Sequence, residues 1–306
     1  MAGPTVSVII VNWKTPELLA RCLDSMAKDA AFSSFEVIVV DNASQDGSVE
    51  MLRQSYPHVA VHENSDNVGF SRACNQVIPQ AQGEYILLLN PDTVLVDNAI
   101  SSLAGFMAAH PDCGAAGPKV LNPDGTLQHA CRRSFPTLAA AFYRVTYLSR
   151  LFPNNATLSK YNLSSADPDK ELEVDALSGS CMMVRKRVVD EIGLLDEDIF
   201  MFGEDIDWCW RIKQAKWKVL YTPESVVYHV HGASSRLIPM KTTIYLHNGM
   251  AVFYRKHLAQ KYWAPFNALV YAAIGTRAAV FILINVVRAA VTRQECAAVA
   301  NSQRRQ

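Results

Sequence analysis

The sequence predicts an α/β fold with a mostly parallel central sheet flanked by helices, and three observations carry that expectation. Ile86–Leu89 is an unbroken apolar run, and Val6–Val11 is apolar apart from Ser7, as expected of buried strands. Helical segments alternate with such runs at the spacing of βαβ units. The central run stops at Asn90-Pro91-Asp92, which places Asn90 and Asp92 at the carboxyl end of a strand, the edge where open α/β sheets bind ligands.

The elements follow in order. Val6–Val11 is a first strand, Asn12–Thr15 a loop, and Thr15-Pro16-Glu17 a helix start, with a capping hydroxyl and proline at the first helical position. That helix runs to about Lys28. Glu36–Val40 is a second strand, followed by the polar loop Asp41–Ser48, in which Asp46 caps a helix reaching about Tyr56. Val59–His62 is a short strand, Asn64–Gly69 a loop, and Phe70–Ala81 a helix. After the central strand come a helix over Asp97–His110 and a strand over Gly114–Val120. Asn122-Pro123-Asp124-Gly125 signals a hairpin tip. A helix is expected near Leu138–Phe152, a strand over Cys181–Val184 and a helix over Arg185–Ile192. Gly203-Glu204-Asp205 opens a further helix through Gln214, and Trp217–Tyr221 and Val226–His231 read as two strands.

Composition narrows the options. Half of the 306 residues are hydrophobic, enough for one large domain or two smaller ones. Basic and acidic residues number 29 each, a balance that gives no reason to expect a nucleic-acid partner. The seven cysteines are scattered without a C-x-x-C pair, as in a cytoplasmic protein with reduced thiols and neither disulfides nor a zinc site. No signal peptide is expected, because Val6–Val11 is short and lacks a basic leader. Trp263–Val291 is almost wholly apolar but interrupted by Arg277 and Arg288. A helix lying in a membrane interface with snorkelling arginines fits this pattern better than a spanning one. The alternative is a helix packed on the body or on a second subunit, as in a homodimer.

Asp92 beside Asn90 offers hard oxygen ligands of the kind that hold Mg²⁺ or Mn²⁺, the ions that accompany phosphates. An Asn-Pro-Asp turn with a capping aspartate is the plainer reading. His229 and His231 share one strand face by their spacing, and Glu204-Asp205 lies at the positive end of a helix dipole.

Six motifs, in this order, resemble the family 2 glycosyltransferases, especially their bacterial rhamnosyltransferase-like members. They are Val8-Ile9-Ile10-Val11-Asn12-Trp13, Val39-Val40-Asp41-Asn42-Ala43-Ser44-Gln45-Asp46-Gly47-Ser48, and Asn67-Val68-Gly69-Phe70 with Asn75. Leu88-Leu89-Asn90-Pro91-Asp92, Phe202-Gly203-Glu204-Asp205-Ile206-Asp207 with Trp210-Arg211, and His229-Val230-His231-Gly232-Ala233-Ser234 complete the set. The resemblance spans roughly Val6–Ser235. It implies a GT-A nucleotide-sugar-binding fold over residues 1–235, with residues 236–306 as a helical C-terminal extension. It also implies an inverting hexosyltransferase, with a nucleoside diphosphate sugar as donor and a cell-surface glycan or polyprenyl-linked acceptor. The donor that the subgroup suggests is dTDP-L-rhamnose, and the place of action is the cytoplasm or the cytoplasmic face of the membrane.

Residue by residue, the resemblance implies that Asp41 accepts the imide N–H of a pyrimidine base, with Asn12 in the same pocket. Asn67, Gly69 and Arg72 would receive the diphosphate at a helix N-terminus, the glycine allowing close approach. Asn90 and Asp92 would meet the donor, Asp92 and His229 the Mg²⁺ or Mn²⁺, and Asp205 would be the general base. Asn90 departs from the family, where many members carry an aspartate, and this lowers the charge of the metal site. Glu204, Asp207, Trp208 and Arg211 would lie on the acceptor side, Arg211 in a structural or acceptor-orienting role. His231 reads mainly as a satisfied polar residue, and Ser178-Gly179-Ser180 as part of the sugar pocket. Two rivals stand beside this reading. A nucleotidyltransferase would ordinarily carry a glycine-rich loop where Asn12–Pro16 has none. An inactive sugar-nucleotide-binding or scaffolding relative is kept open by Asn90.

Overall fold

A computed structural model describes residues 5–139, 151, 160–230 and 232–303. The first half follows the expected alternation: β1 (Val6–Asn12), α1 (Pro16–Met26), β2 (Phe35–Asp41), α2 (Ser48–Ser55), β3 (Ala60–Glu63) and α3 (Phe70–Val77). β4 (Tyr85–Leu89) is buried at every position, as its unbroken apolar run requires. β5 (Thr93–Leu95), α4 (Ala99–Ala109) and β6 (Cys113–Leu121) come next. Beyond the Asn122–Gly125 turn lie three short strands, β7 (Arg132–Arg133), β8 (Leu172–Glu173) and β9 (Ala176–Leu177). β10 (Cys181–Arg185), α5 (Lys186–Ile192), α6 (Glu204–Gln214) and β11 (Lys218–His229) follow them.

Among the described residues the main sheet has nine strands in the order β3-β2-β1-β4-β10-β6-β11-β5, with β8 also on β11. β3, β2, β1, β4, β6 and β11 run in one direction, and β10, β5 and β8 run against them. This is the expected α/β architecture. Its consequence for function is positional. Asn12 and Asp41 pair across the ends of β1 and β2. Cys181 of β10 opposes Leu89 of β4, so the Ser178–Ser180 segment meets the chain where Asn90 leaves the sheet. His229, at the end of β11, pairs with Thr93.

Several local expectations need correction. The two strands expected over Trp217–Tyr221 and Val226–His231 are one strand, β11, with a register shift against β6 between Thr222 and Val226. Pro223 lies at that irregularity, where its missing N–H costs no ladder bond. The Thr15 hydroxyl does not cap α1 but donates to Asn12 Oδ1 at 2.9 Å. Asp46 does serve the start of α2, accepting from the Ser48 N–H at 3.0 Å. The helix expected near Leu138–Phe152 and His231 lie outside the described residues, apart from the helix's ends.

Cys22, Cys74, Cys113, Cys131, Cys181 and Cys209 are buried free thiols. Burial pushes the Cys22 and Cys209 thiols up to about 12, so neither supplies a thiolate at neutral pH.

The chain forms two compact units, Met1–Phe200 with Glu204–Ala233, and Met201–Gly203 with Ser234–Gln306. The second unit is built on α7 (Pro239–Phe253) and α8 (Ala264–Gln303). Tyr254 donates to Asn267 at 2.6 Å, His247 meets Arg277 at 3.0 Å, and Asn285 donates to Thr243 at 3.0 Å. These pairings make the two helices antiparallel. They also turn polar groups of α8 inward, while Leu269, Phe281, Leu283 and Val287 remain exposed.

Candidate active site

The carboxyl ends of β1 and β2 hold a closed polar cluster. Asn12 donates to Asp41 Oδ1 at 2.9 Å and to Ser44 Oγ at 3.1 Å, and the Ser44 N–H donates to Asp41 Oδ2 at 2.9 Å. Asn12 is fully buried and Asp41 nearly so. The structure therefore gives Asn12 the work of orienting Asp41, and it is Asp41 that retains acceptor capacity at the strand end. The loops after both strands carry left-handed residues, Lys14 at φ 57° and Ala43 at φ 58°. Asn42 ties this loop to the next motif by donating to the Gly69 carbonyl at 3.1 Å.

That motif departs from its expected role. Gly69 has φ 88°, and a Cβ there would fall 2.6 Å from the Phe200 carbonyl oxygen, so the glycine serves close packing against the Phe200 backbone. The Phe70 N–H, first in α3, donates to the same carbonyl at 2.7 Å. Asn67 accepts from the Gly69 N–H at 3.0 Å. Two of the amides expected to receive a diphosphate, those of Gly69 and Phe70, are thus already satisfied within the protein. Arg72 is more than half exposed and pairs with Glu197 at 3.2 Å. Asn75 donates to Glu197 at 3.1 Å and to the Leu195 carbonyl at 2.9 Å, so the α3 face is tied to the Leu195–Glu197 segment.

Asp92 and His229 do come together. His229 Nε2 lies 3.0 Å from Asp92 Oδ1, with both side chains buried, and Asn90 Nδ2 is 3.3 Å from the same nitrogen. The chain is drawn in here by Val230 N–H, which donates to the Asp92 carbonyl at 2.9 Å. Behind the ring, Gln128 Oε1 lies 2.8 Å from His229 Nδ1. Gln128 carries no motif, and only its place just after the hairpin tip marks it in the sequence. Among the described residues no group of three or more His, Cys, Asp or Glu gathers as a cation site. A carboxylate oxygen facing an imidazole nitrogen is nonetheless a donor set that suits Mn²⁺, and a two-ligand site leaves positions for phosphate oxygens and water.

Asp205 lies in the first turn of α6, as its motif predicts, and is buried. Its Oδ2 accepts from Arg133 Nη2 at 2.5 Å and from the Gly179 N–H at 3.1 Å, and Oδ1 accepts from Ile206 N–H at 2.8 Å. A carboxylate has about four acceptor positions. The remaining one is on Oδ1. Arg133 is the partner that no motif marked; it also donates to the Leu177 carbonyl at 2.9 Å. Burial alone would lower its pKa, but the Asp205 carboxylate together with Tyr161 and Cys209 more than offsets that, so the guanidinium stays charged. The Asn90 N–H donates to the Ser180 carbonyl at 2.9 Å. Through Gly179 and Ser180, the Asp205 side and the Asn90 side are thereby joined by backbone.

The rest of α6 is structural. Trp208 is fully buried and donates its indole N–H to the Gly193 carbonyl at 3.0 Å. Asp207 pairs with Arg211 at 2.8 Å, and Arg211 also donates to the Ile192 carbonyl at 3.0 Å. Helical periodicity turns these three residues toward α5 and the core, not toward an acceptor. Glu204 is buried beside Asp205, its Oε1 3.7 Å from where a Cβ on Gly179 would lie.

Solved structures share this architecture. A mannosyltransferase from Pyrobaculum calidifontis in complex with GDP-Man and Mn²⁺ superposes with a TM-score of 0.56 at 18% identity, covering 95% of this chain and 81% of that one. GalNAc-T7 with UDP, GalNAc and Mn²⁺ gives 0.56 at 17% identity, covering 82% of this chain and 47% of that one. The fold is therefore GT-A. Residues 4–247 match the family described as Glycosyltransferase like family 2, and the chain belongs to that family. It is a glycosyltransferase of the hexosyltransferase type. A relative in Mycobacterium tuberculosis, N-acetylglucosaminyl-diphospho-decaprenol L-rhamnosyltransferase, is 27% identical over 88% of this chain and 90% of its own length.

Proposed function

We propose that this protein moves a sugar, L-rhamnose from dTDP-L-rhamnose in the first instance, to a hydroxyl of a lipid-linked glycan with inversion at the anomeric carbon. The observation that carries the reading is the state of Asp205. Its Oδ2 is held by Arg133 and Gly179, and Oδ1 keeps one acceptor position for a hydroxyl proton. In the step we propose, Oδ1 takes that proton while the hydroxyl oxygen forms a bond to the anomeric carbon. The bond from that carbon to the diphosphate oxygen breaks on the opposite face. Asp41 receives the base of the nucleotide. Asp92 and His229 would hold a divalent cation, which when bound neutralises charge on the leaving diphosphate. The rhamnosyl group and the polyprenyl-type acceptor come from the relative in Mycobacterium tuberculosis, whose name states both an L-rhamnosyl group and a decaprenol diphosphate acceptor, and the dTDP carrier from the subgroup the motifs resemble.

The test is nucleotide protection of the purified chain. A ligand that binds only the folded state, at a hundred times its Kd, adds about 2.7 kcal/mol. Mn²⁺-dependent stabilisation is expected with dTDP and dTDP-rhamnose, ahead of UDP and GDP. Stabilisation by none of these would leave the fold standing and turn the reading toward an inactive or differently dedicated relative.

We also propose that α8 rests on a bilayer. Ala264–Ala290 is 27 residues long, with an 18-residue stretch of mean hydropathy 1.9, long and apolar enough to cross a membrane. Arg277, which counts against a simple span, is taken up by His247 and lies over the Phe281 ring. Between Glu224 and Glu295 the sequence has no acidic residue, while Arg236, Lys241, Arg255, Lys256 and Lys261 are exposed. This combination suits an anionic membrane surface. The full chain is expected to float with vesicles containing anionic lipid and less so with neutral ones. A chain ending at Tyr262 should stay in the soluble fraction while keeping nucleotide protection. Equal flotation of the two chains would refute the contact.

A further inference from the structure

Arg132 and Arg133 together form β7, and strand alternation sends their side chains to opposite faces. β7 pairs with β9, Arg132 opposite Leu177 and Arg133 opposite Ala176. Two residues a strand make a ribbon too short to hold itself, and Arg132 braces it. Its guanidinium donates to the Ala166 carbonyl at 2.7 Å and the Asp167 carbonyl at 2.8 Å, and lies 4.9 Å from the centre of the Tyr221 ring. The Phe135 N–H donates to Asp175 Oδ2 at 3.1 Å, and the Asp175 N–H to the Arg133 carbonyl at 3.1 Å.

Arg133 serves the other face. Its Nη2 carries two hydrogens and makes two bonds, to Asp205 Oδ2 at 2.5 Å and to the Leu177 carbonyl at 2.9 Å. The planar guanidinium is thus held by its own ribbon through one hydrogen and holds the carboxylate through the other. The second donor to Oδ2, the Gly179 N–H at 3.1 Å, follows β9 by two residues. Among the described residues, both contacts on Asp205 from outside its helix therefore come from one ribbon, and both fall on Oδ2. The Ile206 N–H on Oδ1 belongs to α6 itself. The side chains of Arg133 and Asp205 are only 14% and 11% exposed, which leaves water little room to take over the bond.

We infer that Arg133 is the positioning residue of the base: it pins Oδ2 of Asp205 to the β7–β9 ribbon, so that Oδ1 is the oxygen presented to the acceptor hydroxyl. The inference rests on the reading of Asp205 as the general base. The terminal torsion of an aspartate is soft, so a carboxylate held only by its own helix can turn and exchange its oxygens. Catalysis is sensitive to such a turn, because a misplacement of about 1 Å can cost about a hundredfold in rate. The two arginines then have separable jobs. Arg132 sustains the fold of the ribbon, and Arg133 sets the aim of the carboxylate. Lysine separates them. It keeps a positive charge beside Asp205, but its single ammonium on a flexible stem lacks the rigid fork that spans Oδ2 and the Leu177 carbonyl.

Two measurements on the full-length chain test the inference. The first is steady-state transfer from dTDP-L-rhamnose to an N-acetylglucosaminyl-diphospho-polyprenol, with turnover divided by the folded fraction from thermal unfolding. Arg133→Lys is expected to lower kcat by roughly ten- to a hundredfold while the KM for the donor stays within about twofold, since only the aim of the base has changed. Arg132→Lys is expected to lower the unfolding temperature and to keep the kcat of the folded fraction. Equal losses of kcat in the two variants, or a loss in Arg133→Lys carried by the donor KM, overturn the positioning role. Asp205→Asn separates this from the reading beneath it. If folded Asp205→Asn keeps its turnover, the base and its positioning residue fall together. If it is inactive while Arg133→Lys turns over as wild type does, only the positioning role falls. The second measurement needs no acceptor: crystal structures of wild type and Arg133→Lys. Wild type is expected to show one Asp205 rotamer with Oδ2 on Arg133, and the variant a turned or divided carboxylate. An Asp205 carboxylate unmoved in Arg133→Lys overturns the inference.

Discussion

Asp205→Asn is expected to lower turnover by about a hundred- to ten-thousandfold, the range of a lost general base. Asparagine keeps the shape of the side chain and an oxygen that can still accept from Ile206 N–H, but it cannot take a proton from the incoming hydroxyl. The substitution has a second effect. Arg133 loses its carboxylate partner in a site where both side chains are largely buried, and breaking a buried pair costs about 3–5 kcal/mol. Stability and chemistry must therefore be separated. Asp205→Asn combined with Arg133→Gln removes the stranded charge, and its thermal stability should recover while its turnover does not. Nucleotide protection should persist in both variants, because Asp41 and Asp92 are untouched. Glu204→Gln is the control, expected to cost far less turnover than Asp205→Asn. If turnover merely tracks the folded fraction, or if Glu204→Gln is the more damaging change, Asp205 is not the base.

The legible parts of this fold are those decided within a few residues. β4 could be read because a strand buried on both faces is apolar at every position, and α6 because acidic residues open it at the favourable end of its dipole. The pairing of Asp92 with His229 was legible through the motifs on which each sits. The groups that orient them were not. Gln128 is 101 residues from His229 in sequence, and Arg133 is 72 residues from Asp205. No periodicity reports a partner at such a distance, and neither residue type is unusual at a strand end. The same limit explains the misread roles. Gly69 has the backbone freedom that its motif suggests, but the atom approaching it belongs to Phe200, far along the chain. Trp208 shares a helix with Asp205, and only the packing of α6 shows that its ring fills the core.

Asp92→Ala is expected to abolish the Mn²⁺-dependent part of nucleotide protection. In wild type with dTDP at a hundred times its Kd, that protection approaches about 2.7 kcal/mol, or roughly 5 °C in the unfolding midpoint of a chain this size. The variant should show the same small shift with and without Mn²⁺. The fold should tolerate the change, since the backbone bond from Val230 N–H to the residue 92 carbonyl survives, and the side chain's losses are the 3.0 Å approach to His229 Nε2 and a long contact from Ala233 N–H at 3.4 Å. His229 keeps Gln128 and Asn90 as neighbours, so the buried ring is not stranded. Asn90 makes the experiment sharper. With an amide at position 90, Asp92 supplies the carboxylate at this strand end. His229→Gln should weaken the Mn²⁺ dependence less, because the charged ligand contributes more to holding a hard cation than a neutral nitrogen does. Full Mn²⁺-dependent protection in folded Asp92→Ala would move the metal elsewhere in the molecule and leave the Asp92–His229 pair as a structural contact.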